Sequence, residues 1–255
     1  MHFPLNFHFG PLTINAHLIF EILAYVLGFR YYLDLRQKFQ DKISYEDRIW
    51  IIIAAAAGAL FGSRLVGYLS VLPIEAHSWI EMGVILMSSK SIVGGLLGGL
   101  WGVEITKRWM GIKISTGDLF VYPVILGMMI GRVGCFSQGV FDGTHGNPSH
   151  WPWAIDMGDG IRRHPTQLYE ILFLGILWFI LKRLEYRLAD GARFKIFMIS
   201  YLLYRFLVEW IKPGYFYSFG LFAIQVACVL GLIYYLRDII DPSRLLKKEC
   251  PHGIA

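Results

Sequence analysis

Arg132 falls inside the apolar segment 118 to 138, flanked by Gly131 and Gly134 and followed by Gly139 and Gly143. An arginine at the centre of a membrane helix opposes insertion by roughly 2.5 to 3.5 kcal/mol, so it needs a partner or a ligand. Arg64, Lys90 and Arg205 also fall within apolar stretches. Guanidinium presents a planar fork to phosphate oxygens and keeps its charge in a dry site, whereas lysine can lose its proton there. Arg205 and Glu209 are one helical turn apart and Tyr201 is one turn the other way, so the three share a face and Glu209 can orient the arginine. Four intramembrane cations beside several glycines point to a pocket built for an anion.

Groups able to move a proton are scattered along the chain. His17 and Glu21 are i,i+4, so a carboxylate can raise the basicity of the imidazole and the two can act as base and orienter. The same pair also reads as a polar helix end packed against Arg64 or Arg132. Asp142, His145, His150 and His164 form a second set, with Asp142 and His145 close to Gly143. Their spacing matches no familiar ligand pattern, so no metal and no cofactor are expected. His164, followed by Pro165 and Thr166, reads as the entry to a helix with Thr166 as its N-cap. Glu170, a turn inside, is expected to pair with one of the buried cations. Lys90 reads as the outer end of a helix, snorkelling toward water. Cys135, Cys228 and Cys250 are an odd set and give no disulfide framework. Cys135, three residues after Arg132, is either a thiol activated by the cation or a small buried hydrophobe.

Such residues must be positioned by membrane helices. Hydrophobic residues make up 55% of the chain and aromatics 16%, and the mean hydropathy is +0.49, beyond a soluble domain of 255 residues. The pI near 9.0 does not indicate nucleic acid, because the basic residues sit in short clusters between apolar runs, as topology requires. Seven segments are long enough to cross about 30 Å of hydrocarbon, near 15 to 33, 49 to 70, 82 to 105, 118 to 138, 166 to 184, 194 to 211 and 220 to 239. The third is interrupted by Ser88, Ser89, Lys90 and Ser91, and reads as one span, two pieces or a re-entrant stretch. No cleavable signal peptide is expected before the first.

Of the 24 lysines and arginines, 17 lie on one set of alternating loops and segment ends, and the opposite loops hold only Arg162, Arg163 and Lys212. By the positive-inside rule the N-terminus is outside and the C-terminus cytoplasmic. The fold expected is therefore an all-α integral membrane protein, a seven-transmembrane-helix bundle forming one domain over 1–255. It carries an outer loop 138–165, long enough to be functional, and a short polar tail 241–255. Gly94, Gly98 and Gly102, with Gly95 and Gly99, read as a close helix-packing face.

Gly131-Arg132-Val133-Gly134-x-Phe136-x-x-Gly139-x-x-x-Gly143 resembles the signature of the prolipoprotein diacylglyceryl transferase family, and Arg163-His164-Pro165-Thr166-Gln167-Leu168-Tyr169-Glu170 resembles its second conserved block. Gly10-Pro11, Gly62-Ser63-Arg64, Gly67-Tyr68, Gly94-Gly95 and Tyr204-Arg205-Phe206-Leu207-Val208-Glu209 are further matches in collinear order, and seven helices with an outer N-terminus is that family's layout. The resemblance implies transfer of a diacylglyceryl group from phosphatidylglycerol to the cysteine thiol of a prelipoprotein, with glycerol phosphate leaving. It places the protein in the bacterial cytoplasmic (inner) membrane as a multi-pass enzyme with a phospholipid donor. The chemistry asks for a cation clamp on the leaving phosphate and a base for the thiol. Arg132 and Arg205 suit the clamp, with Glu209, His17, Glu21, Asp142 and His145 as further catalytic candidates. Gly131, Gly134, Gly139, Gly143, Arg64, Arg163, His164, Gln167 and Tyr201 are the candidate substrate-binding residues.

Departures from the pattern are as informative. Cys135 stands where the signature has Asn, Gln138 and Val140 where it has Asn and Glu, and Val93 where it has a histidine; His17-Leu18-Ile19-Phe20-Glu21 replaces a His-Trp-Tyr stretch. Two alternatives follow: a related phospholipid-dependent transferase or hydrolase with another acceptor, and a non-enzymatic lipid-binding or transport protein, for which buried arginines serve equally. The oligomeric state is left open.

Overall fold

The computed structural model describes residues 3–10, 12–39, 41, 43–71, 78–218 and 220–247. Pro11, Cys250 and the tail from residue 248 lie outside these, and so do the expectations attached to them. The described chain is helical: α1 (Ala16–Lys38), α2 (Tyr45–Val71), α3 (Trp79–Ser88), α4 (Ile92–Trp109), α5 (Val121–Gln138), α6 (Thr166–Leu184), α7 (Ala192–Val208), α8 (Ala223–Tyr234) and α9 (Leu236–Ile240). Two antiparallel hairpins accompany the helices, β1 (Asn6–Phe9) with β2 (Leu12–Asn15) and β3 (Ile155–Asp156) with β4 (Arg162–Arg163).

Among the described residues, two stretches are continuous, apolar and long enough to cross a membrane, Tyr45–Val71 and Asp118–Asp142; α3 and α4, bent by 87° at their junction, make a third if taken together. The expected third segment is thus two pieces. Ser89 and Ser91 adopt extended backbone at the break, and the Ser91 side chain accepts from the Gly94 N–H to start α4. Other boundaries shift as well. Stretch 15 to 33 runs on to Lys38, because Tyr32 and Leu35 are buried and extend the packed face. The segment 194 to 211 ends as α-helix at Val208 and finishes in a 3-10 turn, Glu209–Ile211. Segment 220 to 239 is broken into α8 and α9 at Tyr235.

Burial on α6 is the reverse of that in a soluble helix. Gln167, Glu170, Leu174, Leu177 and Leu181 are buried at helical spacing, while Leu168, Leu172, Ile176 and Phe179 are exposed on the other side. On α1, Leu18, Ile22, Tyr25, Val26 and Phe29 are similarly exposed. Apolar faces this large mark surfaces covered by something other than water, and a bilayer accounts for polar groups turned inward against them.

Contacts divide the chain into two compact units. The first holds residues 1–38, 115–197 and 235–255. In it α1 lies along α5, and α5 against α6. Tyr32 stacks on Phe120 at 4.6 Å and Tyr31 on Trp178 at 5.7 Å, which pins the far ends of these helices together. Asp118 caps the start of α7, its carboxylate oxygens accepting from Gly191 N at 2.7 Å and Phe194 N at 2.9 Å. The β1–β2 hairpin is tied to the end of α5 by the Leu5 N–H, which donates to Ser137 O at 2.8 Å.

The second unit holds residues 39–114 and 198–234. Its centre is the crossing of α2 and α4, where a Cβ on Gly58, Gly62, Gly94, Gly98 or Gly102 would strike the partner helix's backbone. The small-residue face read from the sequence is therefore a packing seam between two backbones. Arg64 donates to the carbonyls of Met87 and, at 3.2 Å, Ser89, the oxygens that the end of α3 leaves unsatisfied. Lys90 lies in that same break.

Candidate active site

Arg132 sits on the buried side of α5, with its Nη2 3.0 Å from Oε2 of Glu170 on α6; both side chains are almost wholly buried. This ion pair joins the first signature to the second, and it is the partner expected for Glu170. A carboxylate so close fixes the guanidinium plane through charge-assisted hydrogen bonding. Nη1 of the same arginine points to Sγ of Cys135 at 3.8 Å.

Around Cys135 the fold assembles groups from two distant parts of the chain. His17, Cys135 and Asp142 each bring one ligand-type atom within 4.8 Å of the others. The His17 ring spans two carboxylates: Nδ1 is 4.0 Å from Oδ1 of Asp142, and Nε2 is 4.0 Å from Oε2 of Glu21. Asp142 is held in turn by the Thr144 hydroxyl, which donates to its Oδ2 at 2.5 Å. Nδ1 of His17 is buried and has no hydrogen-bond partner among the described residues.

Signature glycines explain why this geometry is possible. A Cβ on Gly134 would sit 3.0 Å from Phe20 Cβ and 3.5 Å from His17 Nδ1, so its absence lets α1 bring His17 up to α5. Gly139 ends α5 at φ 64, and a side chain there would meet Met157 O and the Phe3 ring. The chain then makes one 3-10 turn, Gly139–Asp142, which swings Asp142 back over the helix end toward His17. Gly143 closes that turn in the left-handed region at φ 66. Nothing lies within 4 Å of a Cβ built on Gly131.

Asn15 is a residue that sequence reasoning missed. Its Oδ1 accepts from the His17 N–H at 2.7 Å and from Nε2 of Gln138 at 2.9 Å. One side chain thereby caps the start of α1 and fastens it to the end of α5. The available signal was an Asn directly before an apolar helix. Gln138, noted only as a departure, is the other half of this fastening.

The second motif block enters α6 differently from the reading above. Pro165 occupies the N-cap position, and Thr166 is the first helical residue. Its hydroxyl donates to Thr144 O at 2.5 Å instead of capping, and so ties α6 to the loop that carries Asp142. Nδ1 of His164 faces the Tyr169 hydroxyl at 3.0 Å, and that hydroxyl also accepts from Trp153 Nε1 at 2.8 Å. Arg163 forms a two-bond fork to Asp159 Oδ2 at 2.9 and 2.6 Å within the β3–β4 hairpin. The guanidinium holds the Asp159 carboxyl below the usual carboxylate range. His145 lies apart from the His17 cluster in its contacts: its Nδ1 is 3.1 Å from Gly146 O, and among the described residues no ion pair joins it to Asp142.

Gln167 is buried at 1% exposure, and neither its amide nitrogen nor its oxygen has a hydrogen-bond partner among the described residues. Leaving such a group unsatisfied costs about 1–3 kcal/mol.

In the second unit Arg205 pairs with Glu209 at 2.9 Å, both buried, along the one-turn spacing read from the sequence. Tyr201 is fully buried on the same helix. Gln225 donates to Phe206 O at 3.1 Å, which anchors α8 to the turn of α7 that carries the pair.

Known proteins match the sequence along almost the whole chain. A family model described as prolipoprotein diacylglyceryl transferase matches residues 4–240. The phosphatidylglycerol–prolipoprotein diacylglyceryl transferase of Wolbachia sp. subsp. Brugia malayi (strain TRS) is 32% identical over 260 residues, covering 92% of this chain and 95% of that protein. The like-named enzyme of Zymomonas mobilis subsp. mobilis (strain ATCC 31821 / ZM4 / CP4) is 28% identical over 219 residues, 80% of this chain and 75% of that protein. A third, from Bordetella avium (strain 197N), is 31% identical over 230 residues, 82% and 81% of the two chains.

Proposed function

We infer, because this chain belongs to the prolipoprotein diacylglyceryl transferase family, that it transfers the diacylglyceryl group of phosphatidylglycerol to the cysteine thiol of a prolipoprotein. It is a transferase of bacterial lipoprotein biosynthesis. In the reaction the acceptor sulfur forms a bond to the terminal glyceryl carbon while that carbon's bond to the phosphate oxygen breaks. The electron pair leaves with glycerol phosphate, and the thiol proton goes to a base.

The observation that carries this reading is the buried Arg132–Glu170 pair, with the Cys135, His17 and Asp142 cluster on one side of the arginine and open space beside Gly131 on the same helix. We assign Arg132 to the leaving phosphate, whose charge rises as the bond breaks; preorganised donors aimed at developing charge are the strongest single source of rate. Glu170 orients it. Gln167, three residues before Glu170 on the buried side of α6, is assigned to a headgroup or glycerol oxygen on the strength of its unsatisfied amide. His17, flanked by Asp142 and Glu21, is the base that receives the thiol proton. Arg205 with Glu209 is proposed as a further cation for the phospholipid.

We read the chain as one functional domain of seven spans with the N-terminus outside, on the 17-to-three charge bias of its loops. That orientation puts the end of α5 and the loop 138–165 at the outer face of the inner membrane. The deciding experiment is transfer in purified form: phosphatidylglycerol vesicles and a prolipoprotein peptide should yield a thioether-linked diacylglyceryl adduct by mass spectrometry. Unmodified peptide with released diacylglycerol would indicate a hydrolase, and unmodified peptide with intact bound lipid would indicate a carrier.

A further inference from the structure

We propose that His17, Cys135 and Asp142 form a binding site for a Zn²⁺-class divalent ion, whose open fourth position takes the thiolate of the acceptor cysteine. The proposal rests on the transferase reading above and deepens it, since it concerns how the acceptor is activated.

The donor set is the first ground. One thiol sulfur, one imidazole nitrogen and one carboxylate oxygen converge within 4.8 Å of one another. Three protein ligands with a fourth place left open is the arrangement of catalytic rather than structural zinc. Tetrahedral coordination at Zn–N and Zn–O near 2.0 Å and Zn–S near 2.3 Å puts ligand atoms roughly 3.3–3.7 Å apart. The 4.0 Å between His17 Nδ1 and Asp142 Oδ1 must therefore close by about half an ångström, and separations of up to 4.8 Å within the group by somewhat more than one, through rotation of the three side chains.

A second, independent ground is the outer layer around those ligands. Metal-binding histidines turn their other ring nitrogen to a carboxylate, and ligating carboxylates are themselves hydrogen-bonded. Here Nε2 of His17 faces Glu21 at 4.0 Å, and the Oδ2 of Asp142 is held by the Thr144 hydroxyl while Oδ1 points to His17. Nδ1, the nitrogen aimed into the cluster, is buried without a hydrogen-bond partner among the described residues. A ring nitrogen turned to a sulfur and a carboxylate is a position that a bound cation would satisfy.

Charge is consistent with an ion beside Arg132. A divalent cation with one thiolate and one carboxylate carries no net charge, and the arginine already faces Glu170. The chemistry also balances. Coordination takes over the activation assigned above to His17 alone: His17 is then a ligand instead of the base, and the acceptor S–H proton goes to water, because a metal-bound thiol is deprotonated outright. The bound sulfur then attacks the glyceryl carbon, the carbon–oxygen bond to phosphate breaks, and the product thioether, a neutral and poorer ligand, leaves the metal. No oxidant or reductant is needed. Cys135 and Asp142 are seven residues apart and His17 comes from another helix, so no sequence spacing advertises the site.

The test uses full-length protein purified without chelator. Wild type should contain about one equivalent of zinc by elemental analysis, and replacement by Co²⁺ should give an intense near-ultraviolet band from sulfur-to-cobalt charge transfer with tetrahedral visible bands. Cys135→Asn, which restores the residue of the family signature, should fold, lose the metal and the charge-transfer band, and transfer at least tenfold more slowly. Cys135→Ser should behave alike. A cysteine-containing acceptor peptide should strengthen the charge-transfer band of the Co²⁺ protein, and its Cys→Ser version should not. Substoichiometric metal in wild type, equal metal in Cys135→Asn, or a spectrum indifferent to the acceptor thiol overturns the proposal. Transfer by metal-free protein sinks the metal and leaves the transferase reading standing; bound metal with no transfer does the reverse.

Discussion

Each of the two units contains one buried arginine paired with one buried glutamate at 2.9–3.0 Å, yet the pairs are built in different ways. Arg205 and Glu209 are successive turns of one helix end, so local geometry alone brings them together. Arg132 and Glu170 belong to different helices and meet only when α5 and α6 are packed. The first pair is a local device; the second is a tertiary lock that carries Cys135 on its other side. Polar cross-links recur through the first unit, at Asn15, Thr166 and Asp118. The second is held at its centre by a glycine seam. In the first unit polar groups join the helices, whereas in the second close packing follows where side chains are removed.

Removing each arginine should separate the two pairs most widely. Arg132→Ala is expected to lower transfer by about 10²–10³-fold, the loss seen when a donor to developing charge is deleted. Arg132→Lys should not restore it, because a point charge cannot keep the fork to both Glu170 and the phosphate. Arg205→Ala should lower transfer less. Equal losses in a single-turnover assay would erase the distinction between them.

The carboxylates come next. Glu170→Gln leaves a buried guanidinium without its counter-charge and should cost about 3–5 kcal/mol of stability, measured by unfolding in detergent. Glu209→Gln should cost less, since a helix-end arginine can re-aim without disturbing a neighbouring helix. The double change Arg132→Met with Glu170→Met should regain much of the stability while remaining inactive. Such an outcome would assign the pair to catalysis rather than to holding the fold.

How much of this was legible follows the same division. The Arg205–Glu209 pair, the His17 and Glu21 pairing and the glycine face of α4 all follow from helical spacing and were readable. The bend at Ser89–Ser91 was readable as an interruption but not as an 87° turn, because the contact made there, Arg64 donating to a carbonyl 25 residues later in the chain, is tertiary. Glu170 could be expected to meet a cation, but which one depended on helix packing. Asp142 was grouped with His145 on sequence proximity; the 3-10 turn after Gly139 carries it to His17 instead. Thr166 was read as a cap because its type favours one, and Thr144 O, 22 residues earlier in the chain, captured its hydroxyl.

Glycine substitutions probe the contrast at smaller scale. Gly98→Ala places a Cβ against the Gly58 carbonyl, where only backbone movement gives relief, whereas Gly134→Ala meets the Phe20 side chain at 3.0 Å. Overpacking of this sort costs about 1–3 kcal/mol, and Gly98→Ala should lie at the upper end. Gly134→Ala should be the milder change for stability but the worse one for transfer, since it pushes His17 away from Cys135. Detergent melting and kcat measured on the same two variants would show whether stability and activity divide between the units in this way.

The smallest effect is expected at Asp159, and its sign is fixed by the fork from Arg163. That contact lowers the Asp159 pKa from its ordinary 3.8. A carboxylate with a depressed folded-state pKa contributes stability that is fully present above the unfolded value and is lost as pH falls through the folded one. Between pH 5 and 8 the hairpin should therefore show no change from this group, with loosening only below about pH 4. Asp159→Asn should remove that acid-side dependence while leaving transfer at neutral pH unaltered, because Arg163 faces Asp159 in the exposed hairpin and screening makes such a pair weak. Hydrogen exchange of the Ile161 amide, which donates to Asp159 Oδ1 at 3.2 Å, reports the change directly. If Asp159→Asn also slowed transfer more than twofold at pH 7, Arg163 would belong with the substrate-binding residues after all, and the polar cross-links of the first unit would extend from the helix core to the β3–β4 hairpin.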